Sequence, residues 1–135
     1  MEKYESVLKF IRYEVNEIYF KKNINFQLSE DGTPIGLKIK PTIDIKDKNM
    51  NITLQIIIFE NAEQNNKPFE MKINLTGYFI AEGCNPEAFK VNAIAILYPY
   101  VRAIVSTYTA NANITPLILP TINVNKLIED QEQEN

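Results

Sequence analysis

The sequence predicts an α+β domain: a four-stranded antiparallel sheet, a long helix of the C-terminal half packed on one face, and a short final helix. Two observations carry this. Up to Ala81 apolar side chains recur at every second position, the period of half-buried strands. Beyond Asn85 they recur at every third and fourth position, the period of a helix. Four alternating runs precede the change, joined by polar connections.

From Phe10 to Leu28 the run is Tyr13, Val15, then Ile18, Phe20, Ile24, Phe26 and Leu28, and the change of phase after Val15 predicts a bulge. Glu2 to Leu8 reads as a helical turn before this strand. Ser29 to Pro34 has turn chemistry and ends it. Ile35, Leu37 and Ile39 alternate, as do Ile43 and Ile45 beyond Pro41. Proline cannot donate to a ladder, so Pro41 is expected at the start of an edge strand. Asp47 to Met50 makes a tight polar connection, and a hairpin leads into Ile52, Leu54, Ile56 and Ile58. The continuous run Ile56 to Phe59 implies cover on both faces at that end. A polar loop from Asn61 to Pro68 precedes the fourth strand, which takes Phe69, Met71, Ile73, Leu75 and Tyr78 to Ala81, with Gly77 a candidate bulge.

Asn85-Pro86-Glu87 is a helix start: a capping residue, proline at the first helical position and an acid in the first turn. Residues 94, 97, 98, 101, 104, 105 and 108 then follow helical spacing. Pro99 removes a backbone bond at about 3 kcal/mol, so a kink or a break is expected there. Asn111 to Asn113 ends the helix. Thr115 to Pro120 holds too much proline for regular structure and too many apolar residues for water. Asn123 is placed to cap a last helix carrying Val124, Leu127 and Ile128. Residues 1–9 read as an N-terminal extension, 10–128 as the domain and 129–135 as an acidic disordered tail.

Composition narrows the function. With 135 residues, 45% hydrophobic and 23% charged, the chain is one domain with a core of its own. A net charge of −3 opposes nucleic-acid binding, which needs a basic face. Cys84 is the single cysteine, so no internal disulfide forms, and with no nearby cation it reads as a small inert residue. No apolar run approaches the roughly 18 residues of a membrane span, and the N-terminus lacks a signal-peptide pattern. A cytoplasmic protein without a membrane span is expected. There is no histidine, which removes the commonest general base and metal ligand. The acids are scattered over loops, the polar strand face and the tail, and four glycines leave no room for a phosphate loop. No enzyme, cofactor or metal is expected.

The segment Ile96 to Leu127 contains Tyr98-Pro99-Tyr100, Arg102, the apolar stretch Pro116 to Pro120, and Asn123 before the closing helix. This order resembles the signature region of the SecB export-chaperone family. Tyr19-Phe20, Ile24 and Phe26 resemble the family's first strand, and Pro41 stands where its second strand opens. The similarity runs from about residue 13 to 128. It implies dimers of dimers, with helices sandwiched between two eight-stranded sheets. Ala93, Ile96, Tyr100, Ala103 and Ile104 are the expected oligomer interface, since a helix apolar on more than one stripe needs a second layer.

The resemblance also implies an apolar groove for unfolded polypeptide, beneath the crossover of the first two strands and the final helix. Ile35, Ile39, Ile43, Ile45, Val124, Leu127 and Ile128 are its expected lining. Such a groove selects for hydrophobicity and extension, and holding needs no ATP. Family members dock the SecA motor through acids on the exposed sheet face. Asn23, Gln27 and Lys72 stand at the corresponding positions, and the missing carboxylates weaken the expected attraction to SecA. The readings are therefore a general export holdase, a chaperone of a single client such as an antitoxin, a small-molecule binding module using the same cavity, or an enzyme working through carboxylates alone.

Overall fold

A computed structural model describes residues 7–28, 34–83 and 85–134. Strands β1 (Leu8–Lys22), β2 (Leu37–Lys46), β3 (Asn49–Ile58) and β4 (Phe69–Ala81) form one antiparallel sheet in the order β1-β4-β3-β2. A one-turn helix α1 (Ala62–Asn65) lies in the β3–β4 connection. A 3-10 turn (Pro86–Phe89) leads into α2 (Lys90–Asn111), and α3 (Val124–Glu134) closes the chain. The expected fold class is the one observed. Cys84, the expected turn over 29–33 and most of the expected N-terminal helical turn lie outside the described residues, while Leu8 already belongs to β1.

One face of the sheet carries the core. Met50, Ile52, Leu54, Ile56 and Ile58 of β3 and Phe69, Met71, Ile73, Leu75 and Phe79 of β4 are buried against α2. The opposite face is polar and tied laterally: Asn16 Nδ2 donates to Asn74 Oδ1 and Thr76 Oγ1, and Thr76 shares a hydrogen bond with Thr53. β1 has two bulges, between Phe10 and Arg12 and between Val15 and Glu17, where the alternation predicted one. The pair restores phase, so Phe10, Tyr13, Val15, Ile18 and Phe20 oppose core-facing residues of β4.

Several expectations are corrected. Pro41 lies in the middle of β2, not at its start; β2 is an edge strand, so the missing N–H leaves no gap in the ladder. Gly77 is no bulge, because pairing to β1 and β3 is continuous there. It is glycine because Leu97 packs onto it: a Cβ would lie 2.4 Å from Leu97 Cδ2. α2 runs through Pro99 unbroken. Its buried stripe is Ala93, Ile94, Leu97, Tyr98, Val101, Val105 and Thr109, which leaves Ile104 half-buried and Tyr108 exposed. Residues 129–134, expected as a disordered tail, continue α3. Contrary to the expectation that no segment qualifies, Pro86–Asn111 is long and apolar enough, by length and composition, to cross a membrane. In the fold its buried stripe packs on the sheet.

Candidate functional site

The residues that carry the sequence signature act as a fastener. Tyr98 Oη donates to the Pro120 carbonyl at 2.6 Å, one turn on Arg102 Nε donates to Leu119 O at 3.1 Å, and Ser106 Oγ donates to Leu117 O at 3.2 Å. Thr109, fully buried, accepts from Leu117 N at 3.0 Å while donating to Val105 O. A segment too proline-rich to satisfy its own backbone is thus satisfied by one side of α2. Burial raises the Tyr98 phenol above its ordinary pKa, which keeps it a donor. The strap delivers the chain to Asn123, whose Oδ1 accepts from Lys126 N at 3.0 Å and starts α3 as expected.

α3 so placed lies beside the outer edge of β2. Between them is a depression of about 520 Å³, lined by Ile39, Leu127, Asp130 and Gln131 together with Lys38, Lys40, Gln55 and Ile57. It takes residues from both faces of β2 and therefore wraps the strand's edge. It shares Ile39, Leu127 and Asp130 with a hollow bounded by Leu37 and Ile122, and Lys38 and Ile57 with another floored by Phe59. On the far side of Gln131, Pro41, Ile43 and Ile128 line a smaller hollow of about 130 Å³.

Of the seven residues expected to line a groove, Ile39 and Leu127 meet in the large depression, and Ile43 and Ile128 in the small one. Ile128 is mostly buried. Ile45 and Val124 are half-buried against the core, and Ile35 is exposed in the crossover. The sequence reading missed Lys38, Lys40, Ile57, Phe59 and Gln131. The lysines were legible, since they alternate with Leu37 and Ile39 on the opposite side of one strand. Ile57, the outward member of the apolar run 56–59, lies in the depression and not beneath a covering layer. Gln131 was hidden by the expectation of a disordered tail. At the rim, the Lys38 ammonium holds the Glu60 carboxyl below its ordinary pKa by hydrogen bonding and charge.

The expected interface and docking sets divide. Ala93 lies on the buried stripe of α2 and is fully buried, so it is core. Ile96 and Ala103 are exposed, and Tyr100 and Ile104 half-buried, off the buried stripe of α2. There Tyr100 meets Tyr13 with ring centroids 4.4 Å apart and Phe10 at 5.7 Å. Of the docking residues only Lys72 stands on the open polar face, with its ammonium 5.8 Å from the Tyr19 ring centroid. Asn23 is 5% exposed. Its Nδ2 donates to the carbonyls of Ala62 and Lys67 and its Oδ1 accepts from Asn25 N, so the side chain is a loop anchor. Gln27 pairs through its backbone with the Asn66 side chain, both bonds 2.9 Å. These clamps tie the start of the crossover to the β3–β4 connection.

The family model described as preprotein translocase subunit SecB matches residues 13–135. The chain belongs to the SecB family. That is a family of chaperones and not of enzymes, and among the described residues no cluster of three or more His, Cys, Asp or Glu side chains is placed to hold a metal. An uncharacterized protein of Methanocaldococcus jannaschii is 36% identical over 140 residues, covering 95% of this chain and 88% of its own. Among solved structures, the SecB-like chaperone of Mycobacterium tuberculosis in complex with a ChAD peptide from an antitoxin matches with a TM-score of 0.66 at 14% identity, over 85% of this chain and 90% of that one. A protein of unknown function from Streptococcus agalactiae matches with a TM-score of 0.56 at 16% identity, over 84% and 97%. At these identities the two structures speak for the fold.

Proposed function

We propose that this SecB-family chain holds unfolded or non-native polypeptide, without ATP, in the depression between the β2 edge and α3. The observation that carries the reading is the partly uncovered aliphatic lining of Ile39, Ile57 and Leu127 in a wall that the strap from Leu117 to Pro120 keeps open. Ile35, Ile43, Ile45, Val124 and Ile128 extend that surface or support it from beneath. At about 25 cal/mol per Å², burying several hundred Å² of client yields on the order of 10 kcal/mol gross, most of it offset by ordering the client. Binding at one site is therefore moderate and reversible. A dimer of dimers, assembled through Ile96, Tyr100, Ala103 and Ile104, adds avidity for long clients.

Keeping preproteins competent for export in the cytoplasm is the general form of this role. Service to a single client is the second reading. It is favoured by the M. tuberculosis relative in fold, whose bound peptide comes from an antitoxin, and by a lysine, Lys72, at the one expected docking position that stands on the open sheet face. Light scattering during refolding of a chemically unfolded protein tests both. Suppression of aggregation at stoichiometric chaperone supports the general role. Suppression confined to one client supports the second reading, and none with any client overturns the proposal and leaves a small-molecule site as the reading for the cavity.

A further inference from the structure

The first bulge of β1 turns an arginine over. Phe10 opposes Phe79 on the core face, and strict alternation would put Arg12 on that face too. The extra residue, Ile11, resets the phase, so that Arg12 opposes Tyr78 on the open face. There its side chain is clamped. The guanidinium carbon lies 4.1 Å from the Tyr78 ring centroid, and Nε donates to Glu14 Oε1 at 3.3 Å. Glu14 Oε2 accepts from Tyr78 Oη at 3.2 Å, which closes the ring of contacts. Neither terminal nitrogen of the guanidinium has a hydrogen bond among the described residues. A stacked guanidinium with its fork free is preorganised for a carboxylate.

Arg12 lines a hollow of about 340 Å³ on this face. Two neighbouring rows of the sheet run through it, Asp44-Asn51-Tyr78-Arg12 and Lys46-Asn49-Ile80. The side chains of Lys46, Asn49 and Asn51 make no hydrogen bond or ion pair among the described residues, so β1, β2 and β3 each bring unengaged donors to the lining. Asp44 is the acid of the lining, and it stands on the opposite edge strand from Arg12. Ile11, 51% exposed, and half-buried Ile80 add an apolar wall. The hollow shares no residue with the depression beside α3. From Tyr78 to Lys72 the strand runs roughly 20 Å, so Lys72 lies well outside it.

We propose that this hollow docks an acidic segment of a partner protein, with a carboxylate on the Arg12 fork and a neighbouring aliphatic side chain against Ile11 and Ile80. Charge sets the polarity: Asp44 repels the carboxylate from its end of the hollow, and Arg12 draws it to the other. A free inorganic anion would leave the Ile11 and Ile80 wall in water, whereas a polypeptide covers the wall and the cation together. Arginine and tyrosine at the middle of a contact, ringed by polar groups, have the composition of an interface hot spot. The surface is separate from the depression beside α3, so one molecule can dock this partner while holding a client. The docking does not rest on the holding role.

The test is fluorescence anisotropy with the full chain and a labelled synthetic peptide in which glutamates flank a single leucine. Arg12→Ala should weaken binding roughly tenfold. Arg12→Lys, which keeps the charge and loses the planar fork, should weaken it roughly fivefold. Lys72→Ala, which removes a charge elsewhere on the same face, should change it less than about twofold. Replacing the leucine by serine should weaken binding roughly fivefold, and replacing the glutamates by lysines should abolish it. Arg12 is exposed, and far-UV circular dichroism of its variants should match wild type. Excess chemically unfolded client should leave the peptide bound. Failure of the peptide to bind, or full affinity in Arg12→Ala or Arg12→Lys, overturns the proposal. Displacement by the client also overturns it, by placing the peptide in the depression, and leaves the holding role standing.

Discussion

Replacing Asn23 by aspartate sets two accounts of one position against each other. By resemblance to SecB relatives, Asn23→Asp restores a carboxylate that would strengthen docking to SecA. The structure predicts that it breaks a loop anchor. The two Nδ2 bonds, 3.3 Å to Ala62 O and 3.0 Å to Lys67 O, become contacts between a carboxylate oxygen and two carbonyl oxygens, in a site that is 5% exposed. Two lost hydrogen bonds at about 1 kcal/mol each, with the repulsion added, put the loss near 3 kcal/mol. Asn23→Ala loses all three bonds without the repulsion and, at about 1 kcal/mol each, should cost about 3 kcal/mol.

The pH dependence separates them. Facing carbonyls, the introduced carboxyl has a folded-state pKa above its unfolded value of about 3.9. The deficit is therefore complete at pH above the folded pKa and shrinks as pH falls through it, because the protonated acid can donate again. The deficit of Asn23→Ala stays constant. Urea unfolding at one fixed protein concentration, at about pH 7 and again near pH 5, reads both. Asn23→Asp within about 0.5 kcal/mol of wild type at neutral pH would refute the anchor.

Three further outcomes are expected. Gly77→Ala should destabilise by about 1–3 kcal/mol by driving a Cβ into Leu97, and the double variant with Leu97→Ala should lose less than the sum of the single losses in urea unfolding. Tyr98→Phe, which frees the Pro120 carbonyl, should cost about 1 kcal/mol in the same assay and increase hydrogen exchange in the strap and α3 ahead of β3 and β4. Ile43→Asp with Leu127→Asp should abolish capture of an unfolded client while far-UV circular dichroism and sedimentation stay unchanged. Unaltered capture would remove these residues from the groove.

The strands were legible in the sequence because one face of the sheet is open to water: Ile52, Leu54 and Ile56 cannot exchange places with Thr53 and Gln55 without burying polar atoms. The errors arose where tertiary contact overrode a local rule. Gly77 looked like a strand breaker because its reason lies 20 residues away, on Leu97. Ala93 was read as part of an oligomer interface and Tyr108 as part of the main apolar face because the phase of a helix apolar on several sides is fixed by the sheet beneath it. Glu129 to Glu134 looked like solvated tail because charge masked the contribution of Leu127, Ile128 and Gln131, which hold α3 against β2. The lining of the site was legible by half: Ile39 and Leu127 follow from alternation and helical spacing. The free edge beside them depends on strand order, which no local pattern encodes.

Site-specific photo-crosslinking tests the central claim most directly. A benzophenone side chain is placed in turn at Ile39, at Leu127 and, on the polar sheet face, at Asn74, and each variant is irradiated with a chemically unfolded client. Adducts at residues 39 and 127, lost on competition with excess unlabelled client, and none at 74 are the predicted result. Adducts at 74 with residues 39 and 127 silent would move the client to the other face of the sheet and contradict the account.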